Sequence, residues 1–259
     1  MKKFNRISVQ LVAAAMIGFC AAPALAQIQP LAPKGPGSLT GVWFNTNFIT
    51  VRDRVAAERA PPRAPRPLPP FQPWALALHQ KHLQDAKDGI PYSPLTSACV
   101  PEGMPAMIFP PGQLPIEILE TPGQITMLFE EYNAFRHIYL DVPHSEDPDP
   151  SLFGDSVGHW EGDTLVVDTI AIDPITPIES DVYPHTDAIH VVERIRRTGP
   201  GALENSVLIE DPKALLHPYT RVMQLKVVPG QRIREFLCTN NRNPADAEGH
   251  AGVTLQSTK

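Results

Sequence analysis

"AIHVVERIRRTGPGALENSVLIED", residues 188–211, carries two apolar runs around a Gly/Pro turn at 198–201. Val, Ile and Leu recur at alternate positions on both sides of the turn, the pattern of a β-hairpin rather than a helix. In its first arm Ala188, His190, Val192, Arg194 and Arg196 share one face, and Ile189, Val191, Glu193, Ile195 and Arg197 share the other. The second face is the more apolar, so the core reading puts Glu193 inside. A buried carboxylate is costly unless it is protonated or paired, so Glu193 needs a partner, with Arg136 or Arg221 as candidates, or else serves a ligand.

Working outward, the same signal recurs. "IEILETPGQITMLFEEY" (116–132) turns at Thr121-Pro122-Gly123, and Asn133 separates it from "FRHIYLD" (135–141). "SVGHWEGDTLVVDTIAI" (156–172) turns at Glu161-Gly162-Asp163, and "YTRVMQLKVVPGQRIREFLC" (219–238) turns at Pro229-Gly230. "SLTGVWFN" (38–45) adds a first strand. Short turns between successive strands make neighbours antiparallel, so about nine strands predict an up-and-down meander. Closing it hides its edges, and the predicted fold class is mainly β, a lipocalin-like barrel. One helix is predicted at about 74–87, with Trp74, Leu76, Leu78 and Leu83 as its apolar side, after a proline-rich excursion at 60–73.

Residues 1–26 read as an export signal: Lys2, Lys3 and Arg6, an apolar run, then Ala24-Leu25-Ala26. A Pro/Gly tether (27–37) follows, and 38–259 forms one domain. The apolar run is too short for a permanent membrane span. Cleavage takes three of the 22 basic residues and none of the 28 acidic ones, so the formal net charge falls from −6 to −9. Such a chain is a poor partner for nucleic acid or anionic membranes, which reward basic patches. The location expected is periplasmic or extracellular. Cys99 and Cys238 remain, and in an oxidising compartment they suggest a disulfide.

Three stretches carry residue types suited to chemistry. His185, Asp187 and His190 precede Glu193 closely, which suits an acid–base site with a carboxylate-oriented imidazole; a metal site and a wet sheet rim are the other readings of the histidines. In 135–150, Phe135, His137, Tyr139 and Asp141 share one face. With Arg136, such an aromatic-polar stripe fits a binding cavity, and equally an exposed sheet face. Trp160 either packs or lines that cavity, and Arg221 is a further binding candidate. The acidic "SEDPDP" (145–150) reads as a solvated turn rather than a calcium loop. A serine hydrolase receives little support. No cofactor is implied.

"CVPEGMP" (99–105), "GDSVGHWEGDTLVVDT" (154–169), "HTDAIHVVERIRR" (185–197), "DPKA" (211–214) and "CTNN" (238–241) together resemble a set of uncharacterised secreted bacterial proteins. Their signatures are C-x-P-x-G-x-P and G-x-S-x-G-x-W-E-G-D-T-L-V-V. The resemblance covers about residues 95–241 and implies export and a shared scaffold, with no catalytic role attached. "LTGVW" (39–43) is also similar, over three residues, to the G-x-W opening of lipocalin-like barrels. Two functions follow: a barrel that binds a small, partly apolar molecule, aromatic or carbohydrate-derived, or a cofactor-independent lyase, isomerase or hydrolase in the same cavity. A structural envelope protein is a third.

Overall fold

The computed structural model describes residues 38–45, 68–89, 95, 98–109, 114–179 and 183–238. The expected leader (1–26), the tether (27–37) and positions 60–67 of the proline-rich excursion lie outside them. Nine strands close into a barrel in chain order. They are β1 (Gly41–Asn45), β2 (Ile116–Thr121), β3 (Gln124–Phe129), β4 (Ala134–Leu140), β5 (Asp155–Glu161), β6 (Thr164–Ile170), β7 (His190–Gly199), β8 (Ala202–Glu210) and β9 (Tyr219–Val227). One helix, α1 (Pro73–Lys87), precedes β2.

The expected alternation appears in the walls. Along β7, Val191, Glu193 and Ile195 are buried while Arg194 and Arg196 are exposed; along β8, Leu203, Asn205, Val207 and Ile209 are buried. The tight hairpin between β5 and β6 turns at Gly162 with φ of 60°, directly after Glu161↔Thr164.

The meander departs from strict antiparallel order at one place. Eight neighbouring pairs are antiparallel and one, β4–β5, is parallel. The reason is parity: strand direction cannot alternate all the way round a ring with an odd number of members. A parallel pair cannot be joined by a tight turn, so residues 141–154 carry the chain from the end of β4 back to the start of β5. The pair itself is short, Tyr139↔Val157 and Leu140↔Gly158. Gly158 permits this approach, because a Cβ there would lie 3.0 Å from both Ile138 Cγ2 and Val166 O.

A second departure lies after β9. Residues 231–238, expected as a strand, join no ladder. Both edges of β9 are already taken, one by β8 and the other by β1 through Trp43↔Val227. The segment instead crosses to the turn before β4. There Asn133 Nδ2 donates to Phe236 O (2.8 Å), Phe236 N donates to Asn133 Oδ1 (2.9 Å), and Arg234 N donates to Glu130 Oε2 (2.8 Å). It ends at Cys238, disulfide-bonded to Cys99 across 139 positions of sequence.

Cys99 begins a plug. Met104, Met107, Ile108 and Phe109 are all buried and join the inward residues of the strands in two apolar clusters. Met104 N donates to Leu152 O (2.7 Å), and Gly103, with φ of 75°, sits where a Cβ would meet that same oxygen at 2.3 Å. The interior around the plug is therefore packed with side chains. α1 turns a different face inward from the one expected. Ala75 and His79 are its buried residues, His79 packing near Phe71 and Tyr183, whereas Trp74, Leu76 and Leu83 are exposed. Trp74 Nε1 donates to Lys213 O at 2.8 Å, so polar anchoring replaces burial.

Cys99→Ser should lower the urea-unfolding free energy of the full chain by up to about 4–5 kcal/mol, the chain-entropy value for a loop of this length. Denaturation in the presence of a thiol reductant should shift the unmodified chain by the same amount and leave the variant unmoved.

Candidate functional site

Glu193 is fully buried, and Arg136, 2 % exposed, meets it across the interior at 2.6 Å (Nη1–Oε2). Glu193 faces inward because β7 alternates, and Arg136 because Ala134, Arg136 and Ile138 form the inner face of β4. Neighbouring strands complete the shell: Arg136 Nε donates to Ser156 Oγ (3.1 Å), its Nη2 to Thr169 Oγ1 (2.8 Å), and Asn205 Nδ2 donates to Glu193 Oε1 (2.8 Å). Gly154-Asp155-Ser156-Val157-Gly158 does spell the G-x-S-x-G spacing. Its serine, however, lies within a strand, buried against Arg136 and Thr169, instead of at an exposed elbow beside a histidine. Arg221, the other partner considered for Glu193, pairs with Glu179 and lies 5.1 Å from the Phe109 ring centre.

The outer face of β4 carries the aromatic stripe. Phe135 and Tyr139 are 58 % and 46 % exposed, and His137 lies between them with ring centres 5.2 Å and 6.3 Å away. Gln124 Nε2 donates to His137 Nδ1 (2.8 Å), which puts the proton of the neutral ring on Nε2, a donor with no hydrogen-bond partner among the described residues. Because β4 and β5 pair only near Tyr139, they splay below it, and a groove of about 480 Å³ occupies the gap. Arg136, His137 and Tyr139 line it together with Tyr132, Phe135 and Phe153, and Asp155 and Ser156 stand on its β5 side. Asp141, at the end of β4, and Trp160, packed against the apolar cluster, are not in its lining.

The four acid–base candidates are not brought together. Glu193 points inward and His190 outward from the same strand. His185, in the loop before β7, is buried, with Nδ1 donating to Thr186 O (2.8 Å) and Nε2 at 2.8 Å from Thr176 Oγ1. Burial lowers its pKa, favouring the neutral ring. Asp187 is on the surface, ion-paired with Lys213 at 2.6 Å. Asp211, two positions before Lys213, is the buried cap of that loop, accepting from Thr186, Lys213 and Ala214 backbone N–H groups.

His190 does belong to a carboxylate–imidazole array, with partners the sequence reading did not name. Its Nε2 lies 2.9 Å from Asp168 Oδ1 and its Nδ1 3.1 Å from Glu210 Oε2. Asp168 Oδ1 is also 2.9 Å from His144 Nε2, and His144 Nδ1 is 3.0 Å from Asp155 Oδ2. Five groups thus run Asp155, His144, Asp168, His190, Glu210 over the outside of the barrel. The strand register underlies half of it: Asp168↔Val192 and His190↔Glu210 bring β6, β7 and β8 side chains onto one outer patch, and the crossover drops His144 beside them. Burial by itself would lower the His190 pKa; the bonds and charges of Asp168 and Glu210 outweigh it and raise the value. Burial likewise opposes ionisation of Asp168, but His144 and His190 outweigh it and lower that pKa. A ring held between two carboxylates makes both bonds only when both nitrogens carry protons, so protonation of His190 would complete both bonds. Among the described residues no group of three or more His, Cys, Asp and Glu side chains is arranged to hold a metal ion.

Protein-family models, curated proteins and solved structures were compared with the chain, and none matches.

Removing one member of the interior pair should be far worse than removing both. Glu193→Leu or Arg136→Met should each cost about 3–5 kcal/mol, and the double replacement much less than their sum. Urea denaturation of the three variants reads this directly. Thermal melts against pH should separate the two histidines. The raised pKa of His190 adds stability that is complete below its ordinary value of 6.5 and disappears as pH rises through the folded value. His185, lowered, does the reverse: its contribution is complete above 6.5 and is lost as pH falls towards the folded value. His190→Gln should therefore flatten the alkaline side of the Tm profile, and His185→Gln the acid side.

Proposed function

We propose that the chain is an exported binding protein, and that its ligand is a small, partly apolar molecule, aromatic or carbohydrate-derived, held in the groove at the β4–β5 seam. The observation that carries this reading is the coincidence of a gap in the barrel wall with the aromatic stripe. A groove of about 480 Å³ falls in the range of small-molecule sites, and its lining joins aromatic faces to a few polar groups. The flat rings of Phe135 and Tyr139 suit stacking against an aromatic or the apolar face of a sugar. The donor on His137 and the Asp155 carboxylate suit hydroxyl groups. Beyond the two paired positions, β4 also offers backbone groups with no register partner on that side. Export is supported by the leader-like first residues and by the Cys99–Cys238 bridge, which persists in an oxidising compartment. No helix among the described residues is long and apolar enough to cross a membrane.

One observation favours a second reading, cofactor-independent acid–base catalysis: the His190 imidazole, its pKa raised by two carboxylates, sits in an outer array whose far end, Asp155, reaches the same groove. Mass spectrometry of the full chain against aromatic and carbohydrate-derived metabolites tests both. The binding reading expects a retained one-to-one adduct of unchanged mass. Phe135→Ala and Tyr139→Ala should each weaken it by about tenfold, the value of one good aromatic contact. Product masses that differ from the compound added, abolished by His190→Gln, would favour turnover instead. Affinity indifferent to both aromatic replacements would remove the seam as the site.

A further inference from the structure

A second groove, of about 450 Å³, lies outside the barrel where the start of α1 meets the turn between β8 and β9. It is built rather than incidental. Phe71 bridges to Leu215, Gln72 N donates to Ala214 O (2.7 Å), and Leu216 N donates to Pro70 O (2.7 Å), so backbone bonds fix its walls before any ligand arrives. Pro212, Leu215, Leu216 and Pro218 supply an apolar side, with Leu216 64 % exposed.

The ionisable residues of the lining are His190, Glu210, Asp211 and His217. Asp211 is occupied on both oxygens as the loop cap. Glu210 spends Oε2 on His190 Nδ1, and its Oε1 has no hydrogen-bond partner among the described residues. His217 Nδ1 donates to Pro218 O (3.1 Å), so the neutral ring presents the lone pair of Nε2. His190 offers this groove no free donor, because its Nδ1 lies on Glu210 Oε2 (3.1 Å) and its Nε2 on Asp168 Oδ1 (2.9 Å). Lys213, in the turn, is already paired with Asp187. A partner that brings an N–H donor and positive charge to Glu210 Oε1 and His217, and carbon to the Leu/Pro residues, fits the free acceptors and the apolar lining.

From this geometry we infer that the α1–β8/β9 groove is a second binding site, specific for a small organic cation: an ammonium carried on an apolar body. It is separate from the seam and stands whether or not the seam binds anything. Benzylamine, protonated at neutral pH, and benzyl alcohol, its neutral counterpart, test it by titration of the full chain followed through amide NMR shifts. Benzylamine should move the resonances of Ala188 and 215–217 saturably, and benzyl alcohol should bind at least about tenfold more weakly. Glu210→Gln should lower benzylamine affinity by a similar factor. Glu210 also holds His190, so His217→Lys provides an exposed change that leaves that contact alone; its added charge should abolish benzylamine binding while the thermal melt stays put. Added salt should weaken binding, as it does for any partly exposed charge pair. Equal affinity for the amine and the alcohol, or shifts confined to residues outside this groove, would overturn the inference, as would wild-type affinity in His217→Lys.

Discussion

Closure of an odd number of strands governs this structure. Around nine strands one like-directed pair is unavoidable, and the protein places it between β4 and β5. Much of the outer surface around β4–β6 follows from that choice. The crossover of residues 141–154 exists because parallel neighbours cannot share a tight turn. It brings His144 over β5 and β6, and the short pairing that it serves leaves the wall open beneath Tyr139. Glycine at 158 lets the two strands meet where they do pair.

Inside, the barrel resolves a harder conflict. Apolar side chains and the plug fill most of it, yet Arg136, Glu193, Ser156, Thr169 and Asn205 form a polar band across the middle. A buried pair of this kind adds little net stability compared with hydrocarbon of the same volume, because both ions surrender their hydration. What it does supply is register. Arg136 reaches partners on β5, β6 and β7 together, and a one-residue slip of any of these strands would turn a partner to the outside.

Much of this was legible in the sequence because it is written in local period. Alternation at 188–211 identified the inner face of β7, and with it the burial of Glu193 and the need for a basic partner. The hairpin turns stood out as Gly-containing breaks, and the two cysteines as a bridge. Long-range pairing was harder to read. The outer array joins His144, Asp155, Asp168, His190 and Glu210, which only the register across four strands and a crossover makes neighbours; no spacing in the chain announces it. His185 and Asp187 sit close to His190 in sequence but leave it at once, one sinking against Thr176 and the other turning to Lys213. Residues 231–238 have the composition of a strand and still form none, since strand formation needs a vacant edge and β9 has none left. The apolar residues of α1 misled for a related reason: Trp74 found a carbonyl to bond, and the small Ala75 gave the closer approach.

The pairing of β1 with β9 has a consequence for how the chain must be assembled. The ring's first strand finds its second neighbour only in the last one, through Trp43↔Val227, Phe44↔Lys226 and Asn45↔Leu225. Any fragment ending before Tyr219 therefore presents β1 and β8 as raw edges, ready to pair with another copy. A ribosome releasing this chain yields a complete wall only near the end of its work. Until then the chain's two edge strands stay unpaired.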